Sequence, residues 1–173
     1  IIPNEVVREQ IFSYLLDAYS DNDLTYDDYD IRKKEQLMAY CGDFKPFFQF
    51  IADSIYTFAS QRDRQKGESF VHGFTLALTS MCRFYRPISE LDNQNGYADI
   101  FLRPRQEIYD DMEHSYIIEL KYLNSKATDT QVASTIEQAK AQVCRYADTV
   151  NAIQQIGTTK LHKVYVVYRG VEM

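Results

Sequence analysis

The sequence predicts an α+β fold, in which an N-terminal helical extension precedes a helix, three strands, a helix and a last strand built around a mixed four-stranded sheet. Three observations lead there. Gly96-Tyr97-Ala98-Asp99-Ile100-Phe101-Leu102 and Tyr116-Ile117-Ile118-Glu119-Leu120-Lys121 are runs of β-branched, aromatic and aliphatic residues bounded by turn chemistry. From Thr130 to Val150, Val132, Ile136, Ala139, Val143, Tyr146 and Val150 recur at steps of three and four, one face of an amphipathic helix. Lys163-Val164-Tyr165-Val166-Val167-Tyr168 is a near-continuous apolar run suited to a covered strand.

The chain has 173 residues, enough for one domain or a domain with an extension. Hydrophobic content of 45% and charged content of 25% are those of a globular protein. No apolar run approaches a membrane span and nothing resembles a signal peptide, so a cytoplasmic location is expected. Cys41, Cys82 and Cys144 are odd in number and widely spaced, which reads as reduced thiols rather than a disulfide or metal framework. With no initiator Met and an Ile-Ile-Pro opening, the chain is expected to be a piece of a longer protein.

A net charge of −6 argues against a generic nucleic-acid binder, whose footprint is a basic face. The acids are segregated, however: Asp21, Asp23, Asp27, Asp28 and Asp30 crowd one loop, and Asp110, Asp111 and Glu113 another. No basic stripe interleaved with aromatics is visible along the sequence, so affinity for DNA is expected to depend on a partner domain.

Residues 4 to 60 read as helical. Asn4 is an N-cap followed by Glu5, and Val7, Ile11, Tyr14, Leu15 and Ala18 form a buried stripe. A polar break from Ser20 to Asp30 precedes a helix over Ile31 to Tyr40, ended near Gly42. The next begins after Asp43 with Pro46 in its first turn and Phe47, Phe50, Ile51, Ser54, Ile55 and Phe58 on one face. A charged connector, Ser60 to Gly67, leads to a helix over Glu68 to Phe84 that packs Phe70, Phe74, Ala77, Leu78 and Met81. Arg86 to Leu91 is the first core strand, with Glu90 near its end as a solvated carboxylate or a neighbour of the site.

The anomaly lies in the two central strands, which form an antiparallel hairpin with a long loop. Asp99 and Glu119 are acids inside otherwise apolar strands, where such residues are depleted. Alternation puts Glu119 and Lys121 on one face and Leu120 on the other. Ile-Glu-Leu-Lys alone also fits a strand whose charges simply face water. If the acids are buried together instead, a divalent cation offsets the cost, since Mg²⁺ takes oxygen ligands from one or two carboxylates, with the Leu120 carbonyl as a further donor. Downstream, Gln142 and Tyr146 stack on neighbouring turns of one helix side; a tyrosine at the core edge beside a solvated glutamine fits that spacing equally. Glu68 falls in a first helical turn, where the macrodipole favours a carboxylate. A zinc site from Glu68 and His72 lacks a third ligand nearby in sequence.

Gly96-x-x-Asp99, Glu119-x-Lys121 and Gln142-x-x-x-Tyr146, in that order on strand, strand and helix, resemble the PD-(D/E)XK nuclease superfamily in its RecB-like form. Gly-Tyr-Ala-Asp-Ile-Phe-Leu followed by Tyr-Ile-Ile-Glu-Leu-Lys-Tyr further resembles the nuclease-like domain found C-terminal to AAA-type ATPase domains in bacterial proteins. The Ile-Pro-Asn-Glu-Val-Val-Arg opening and Gly67-Glu68-Ser69-Phe70 with Gly73-Phe74 extend the likeness over the whole chain. Ala98 departs from it, standing where the superfamily's name puts Pro. The resemblance implies a restriction-endonuclease-like αβββαβ core over 63–173, preceded by a helical linker or cover over 1–62. It also implies Mg²⁺- or Mn²⁺-dependent hydrolysis of DNA, with an N-terminal AAA-type ATPase domain on the same chain as partner and no membrane. Within it Asp99, Glu119, Lys121, Gln142 and Tyr146 take catalytic positions, and Asp99, Glu119, Leu120 and Glu68 surround the metal. A nuclease fold kept only as a binding or regulatory module of the ATPase is the rival expectation.

Overall fold

The computed structural model describes residues 28–58, 67–93, 96–147 and 154–170. The Asn4 cap, the Val7-to-Ala18 stripe, most of the charged connector, the Gln94-Asn95 turn and Val150 lie outside them, as does the side chain of Glu90.

The first described helix, α1 (Asp28–Gln36), starts before Ile31 and runs into a π-helical turn, Leu37–Cys41. Gly42 ends it at φ 70°, donating its N–H to the Leu37 carbonyl. A Cβ there would lie 3.1 Å from His114 and 3.3 Å from His162, so the position is restricted by both backbone and space. Helix α2 (Lys45–Phe58) carries Pro46 in its first turn and buries Phe47, Phe48, Ile51, Ala52 and Ile55.

Helix α3 (Glu68–Ser80) ends four residues before the expected Phe84. The Met81 N–H folds back onto the Leu78 carbonyl and the Cys82 N–H onto that of Thr79, and the chain must reverse at once because Tyr85 already pairs with Pro104. That pairing lengthens the first strand, β1 (Tyr85–Asn93), beyond Arg86 to Leu91. The remaining elements are β2 (Gly96–Pro104), β3 (His114–Leu123), α4 (Asp129–Ala147) and β4 (Lys160–Arg169).

The strands are ordered β1-β2-β3-β4. The first two contacts are antiparallel hairpins and β3 pairs with β4 in parallel, with α4 as the crossover. The expected mixed four-stranded sheet and the helix, three-strand, helix, strand order are therefore present.

Alternation along the strands divides the core in two. Ile100, Leu102, Tyr116, Ile118, Leu120, Val164, Val166 and Tyr168 pack with buried residues of α1, α2 and α3. On the opposite face, Phe101 and Ile117 meet Val143, Tyr146 and Ala147 of α4. The three cysteines are free thiols, Cys82 buried and the others exposed. Among the described residues, no helix is long and apolar enough to cross a membrane.

The helical cover is tied to the sheet by Tyr116, whose hydroxyl donates to the Met38 carbonyl at 2.8 Å in a buried setting. Tyr116→Phe leaves that carbonyl without its donor, at a cost of about 1–2 kcal/mol, so its thermal midpoint should drop by about 3–6 °C. A circular-dichroism melt unchanged from the parent would show that the bond adds nothing to the fold.

Candidate active site

The ladder between β2 and β3 runs Leu102↔Tyr116, Phe101↔Ile117 and Ile100↔Ile118, then stops. On its other side β3 stays paired with β4 as far as Leu123↔Arg169. An amide with no partner at this depth is costly. The N–H of Leu120 instead donates to Asp99 Oδ2 at 2.7 Å. The side chain of β2 thus replaces the acceptor its backbone no longer supplies, and one carboxylate is fixed against the Glu119–Leu120 peptide.

Glu119 and Lys121 share the sheet face of Ile117, on the α4 side. Glu119 is 2% exposed, which removes the alternative that it faces water. Its Oε1 lies 2.7 Å from Lys121 Nζ. Its Oε2 is buried with no hydrogen-bond partner among the described residues. Burial pushes the Glu119 carboxyl pKa up; the Lys121 hydrogen bond and charge oppose this, the charges of Asp99 and Glu68 add to it, and the net direction is upward. For Lys121, burial pulls downward, but the Glu119 hydrogen bond and the charges of Glu119, Asp99 and Glu68 outweigh it and raise the ammonium pKa.

Glu68, in the first turn of α3, lines a cleft of about 280 Å³ with Ser69, His72 and Asp99. His72 Nε2 is 3.0 Å from the Asp99 carbonyl and 3.4 Å from Ser89 Oγ. A carbonyl can only accept, so that ring nitrogen carries the proton in the bond to Asp99. His72 is a positioning residue that spacing alone did not reveal: its four-residue offset from Glu68 put both on one helix side, and the structure shows it supporting the Asp99 backbone.

Asp99 is thus bonded to the Leu120 amide and Glu119 to Lys121, two pairs on neighbouring positions of β3, with Glu68 in the same cleft as Asp99. Tyr146 is 6% exposed and belongs to the minor core with Phe101 and Ile117. Each of those residues lies two positions from a site acid on the same sheet face. Gln142 is half-buried one turn earlier on α4.

A buried Glu119 oxygen with no hydrogen-bond partner among the described residues, near enough to Asp99 for their charges to interact, fits a role in holding a cation. Among the described residues, no three His, Cys, Asp or Glu side chains converge to form an all-protein cage. Two carboxylates with a backbone oxygen suit a hard cation that retains waters, as Mg²⁺ does, better than zinc.

A family model described as the PD-(D/E)XK nuclease superfamily matches residues 66–173. No curated protein and no solved structure matches the chain.

Because the folded-state pKa of Glu119 lies above its unfolded value, its contribution to stability is fully present below the unfolded pKa and is lost as pH rises through the folded one. In chelator, wild-type stability should therefore fall across the mildly acidic range. Glu119→Gln, having no proton to lose, should melt higher at neutral pH by about 3 °C, or about 1 kcal/mol. Calorimetric melts over that range check the sign; a variant less stable than wild type at neutral pH would contradict it.

Proposed function

The chain belongs to the PD-(D/E)XK nuclease superfamily, and on that premise we propose a RecB-like nuclease that hydrolyses DNA phosphodiester bonds with Mg²⁺ or Mn²⁺. The observation that carries this reading is the pairing of Asp99, locked to Leu120 N–H, with a buried Glu119 whose Oε2 has no hydrogen-bond partner among the described residues. Asp99 and Glu119 would hold the cation, with the Leu120 carbonyl and Glu68 as further oxygen donors. Held there, such a cation would offset the two acidic charges and supply Lewis-acid activation of water and phosphate.

Lys121 orients the attacking water and balances the developing phosphate charge, because an ammonium whose pKa is raised is a donor rather than a base at neutral pH. Gln142 and Tyr146 steady the substrate from α4, with Tyr146 anchored in the minor core. In this reading residues 63–173 are the nuclease-like core and 1–62 a helical cover linking it to an N-terminal AAA-type ATPase domain in a cytoplasmic protein.

One observation favours a second reading, a catalytically silent module of the ATPase. Lys121 and Glu119 already satisfy each other at 2.7 Å, which is a complete ion pair without substrate.

Plasmid nicking in Mn²⁺ or Mg²⁺, by the chain alone and joined to its ATPase, separates the two. Asp99→Asn and Lys121→Ala should each lower the cleavage rate by about 100-fold or more. Lys121→Ala cleaving as fast as wild type would remove the mechanism. Absence of both cleavage and calorimetric binding at millimolar metal would leave the silent module.

A further inference from the structure

The β1–β2 register places Arg86 directly opposite Arg103. Cross-strand partners share one sheet face with Cβ atoms about 5 Å apart, and like charges so placed are destabilising. Arg105 follows two residues on, its Nη1 donating to the Arg83 carbonyl at 3.3 Å, which holds its side chain back over the start of β1. Arg86 and Arg105 line a polar hollow of about 290 Å³ with Ser80, Cys82, Tyr85, Pro87 and Glu107. Glu107 is the one carboxylate in that lining. Among the described residues, neither it nor any other acid forms an ion pair with Arg86, Arg103 or Arg105. In a chain of net charge −6, three guanidinium groups with no carboxylate partner among the described residues, two of them directly opposite across the ladder, are not explained by the fold.

Their placement relative to the acids gives them a use. The hollow lies at the Ser80 end of α3, and the cleft of Glu68, Ser69, His72 and Asp99 lies at its start. The helix is about 20 Å long, and β1 runs beside it as a sheet edge, with Ser89 touching His72. Arg103 shares its sheet face with Asp99, four residues or about 13 Å away along β2. Guanidinium forks match phosphate oxygens in a bidentate manner.

We infer that Arg86, Arg103 and Arg105 form a phosphate-contacting surface that engages the backbone of a DNA duplex and leads it along the β1 edge to the Asp99–Glu119 site. The inference rests on the nuclease reading for its substrate, but its test does not depend on cleavage. Fluorescence anisotropy of a short labelled DNA duplex, in chelator so that nothing is cut, measures the contact directly.

The Arg86→Ala/Arg103→Ala variant should bind at least about 10-fold more weakly at about 0.1 M salt, and its log–log salt slope should be shallower by about two. Arg86→Lys/Arg103→Lys should recover most of the affinity, because the charge remains. Since the alanine pair relieves a repulsion, its melting temperature should equal or exceed that of wild type, which separates lost contact from lost fold. Wild-type affinity and slope in the alanine variant, or a wild type that does not bind the duplex, would overturn the inference. If the alanine variant binds like wild type while wild type cleaves in Mn²⁺, the surface fails and the nuclease reading stands. If binding depends on the arginines but wild type never cleaves, the nuclease reading fails and the surface stands.

Discussion

A single hydrogen bond, from the Leu120 amide to Asp99 Oδ2, sets the geometry of the candidate site. Where β2 leaves β3, the ladder loses a backbone acceptor, and a carboxylate takes its place. Two consequences follow from that substitution. Asp99 is held in one position by an amide whose strand is fixed on its far side by β4. The gap also lets α3 bring Glu68 and His72 to the same place from the other layer. A fully paired β2–β3 hairpin would have closed the cleft and left Asp99 no amide to bind.

The charges around that gap are balanced against burial rather than for stability. Glu119 is enclosed, one oxygen is satisfied by Lys121 and the other has no hydrogen-bond partner among the described residues, and two further acids raise the cost of ionising it. A buried acid paired on one side only is poor evidence of a stabilising ion pair. It is the arrangement expected where an external cation completes the set, and stability is commonly given up at sites built for chemistry.

Much of this was legible in the sequence, for identifiable reasons. The alternating apolar runs around Asp99 and Glu119, the three-and-four spacing from Val132 to Val143, and the apolar run to Tyr168 each follow from a single backbone period, and each became the expected element. The αβββαβ order follows from them. The motif spacing picked out Asp99, Glu119 and Lys121, whose proximity depends on a hairpin short enough to read. What the sequence hid was set by register and by turns. The end of α3 at Ser80 is dictated by where Tyr85 must begin pairing, not by helix propensity. His72 supports Asp99 across layers from 27 residues away. Arg86 and Arg103, seventeen positions apart in the chain, form a face only once their strands pair. A search for a basic stripe along the sequence therefore passes over them.

The candidate site and the arginine surface give the molecule electrostatic polarity along α3, acidic at the helix start and basic at its end. Enclosure raises the pKa of the Glu119 carboxyl, and a cation bound beside it would lower that pKa again. Carboxyl-carbon NMR titration of Glu119, without and with Mg²⁺, measures this most directly. A pKa above the ordinary glutamate range in chelator, falling markedly on adding Mg²⁺, is the expected result; an ordinary value unmoved by the cation would rule out an enclosed carboxyl that binds one.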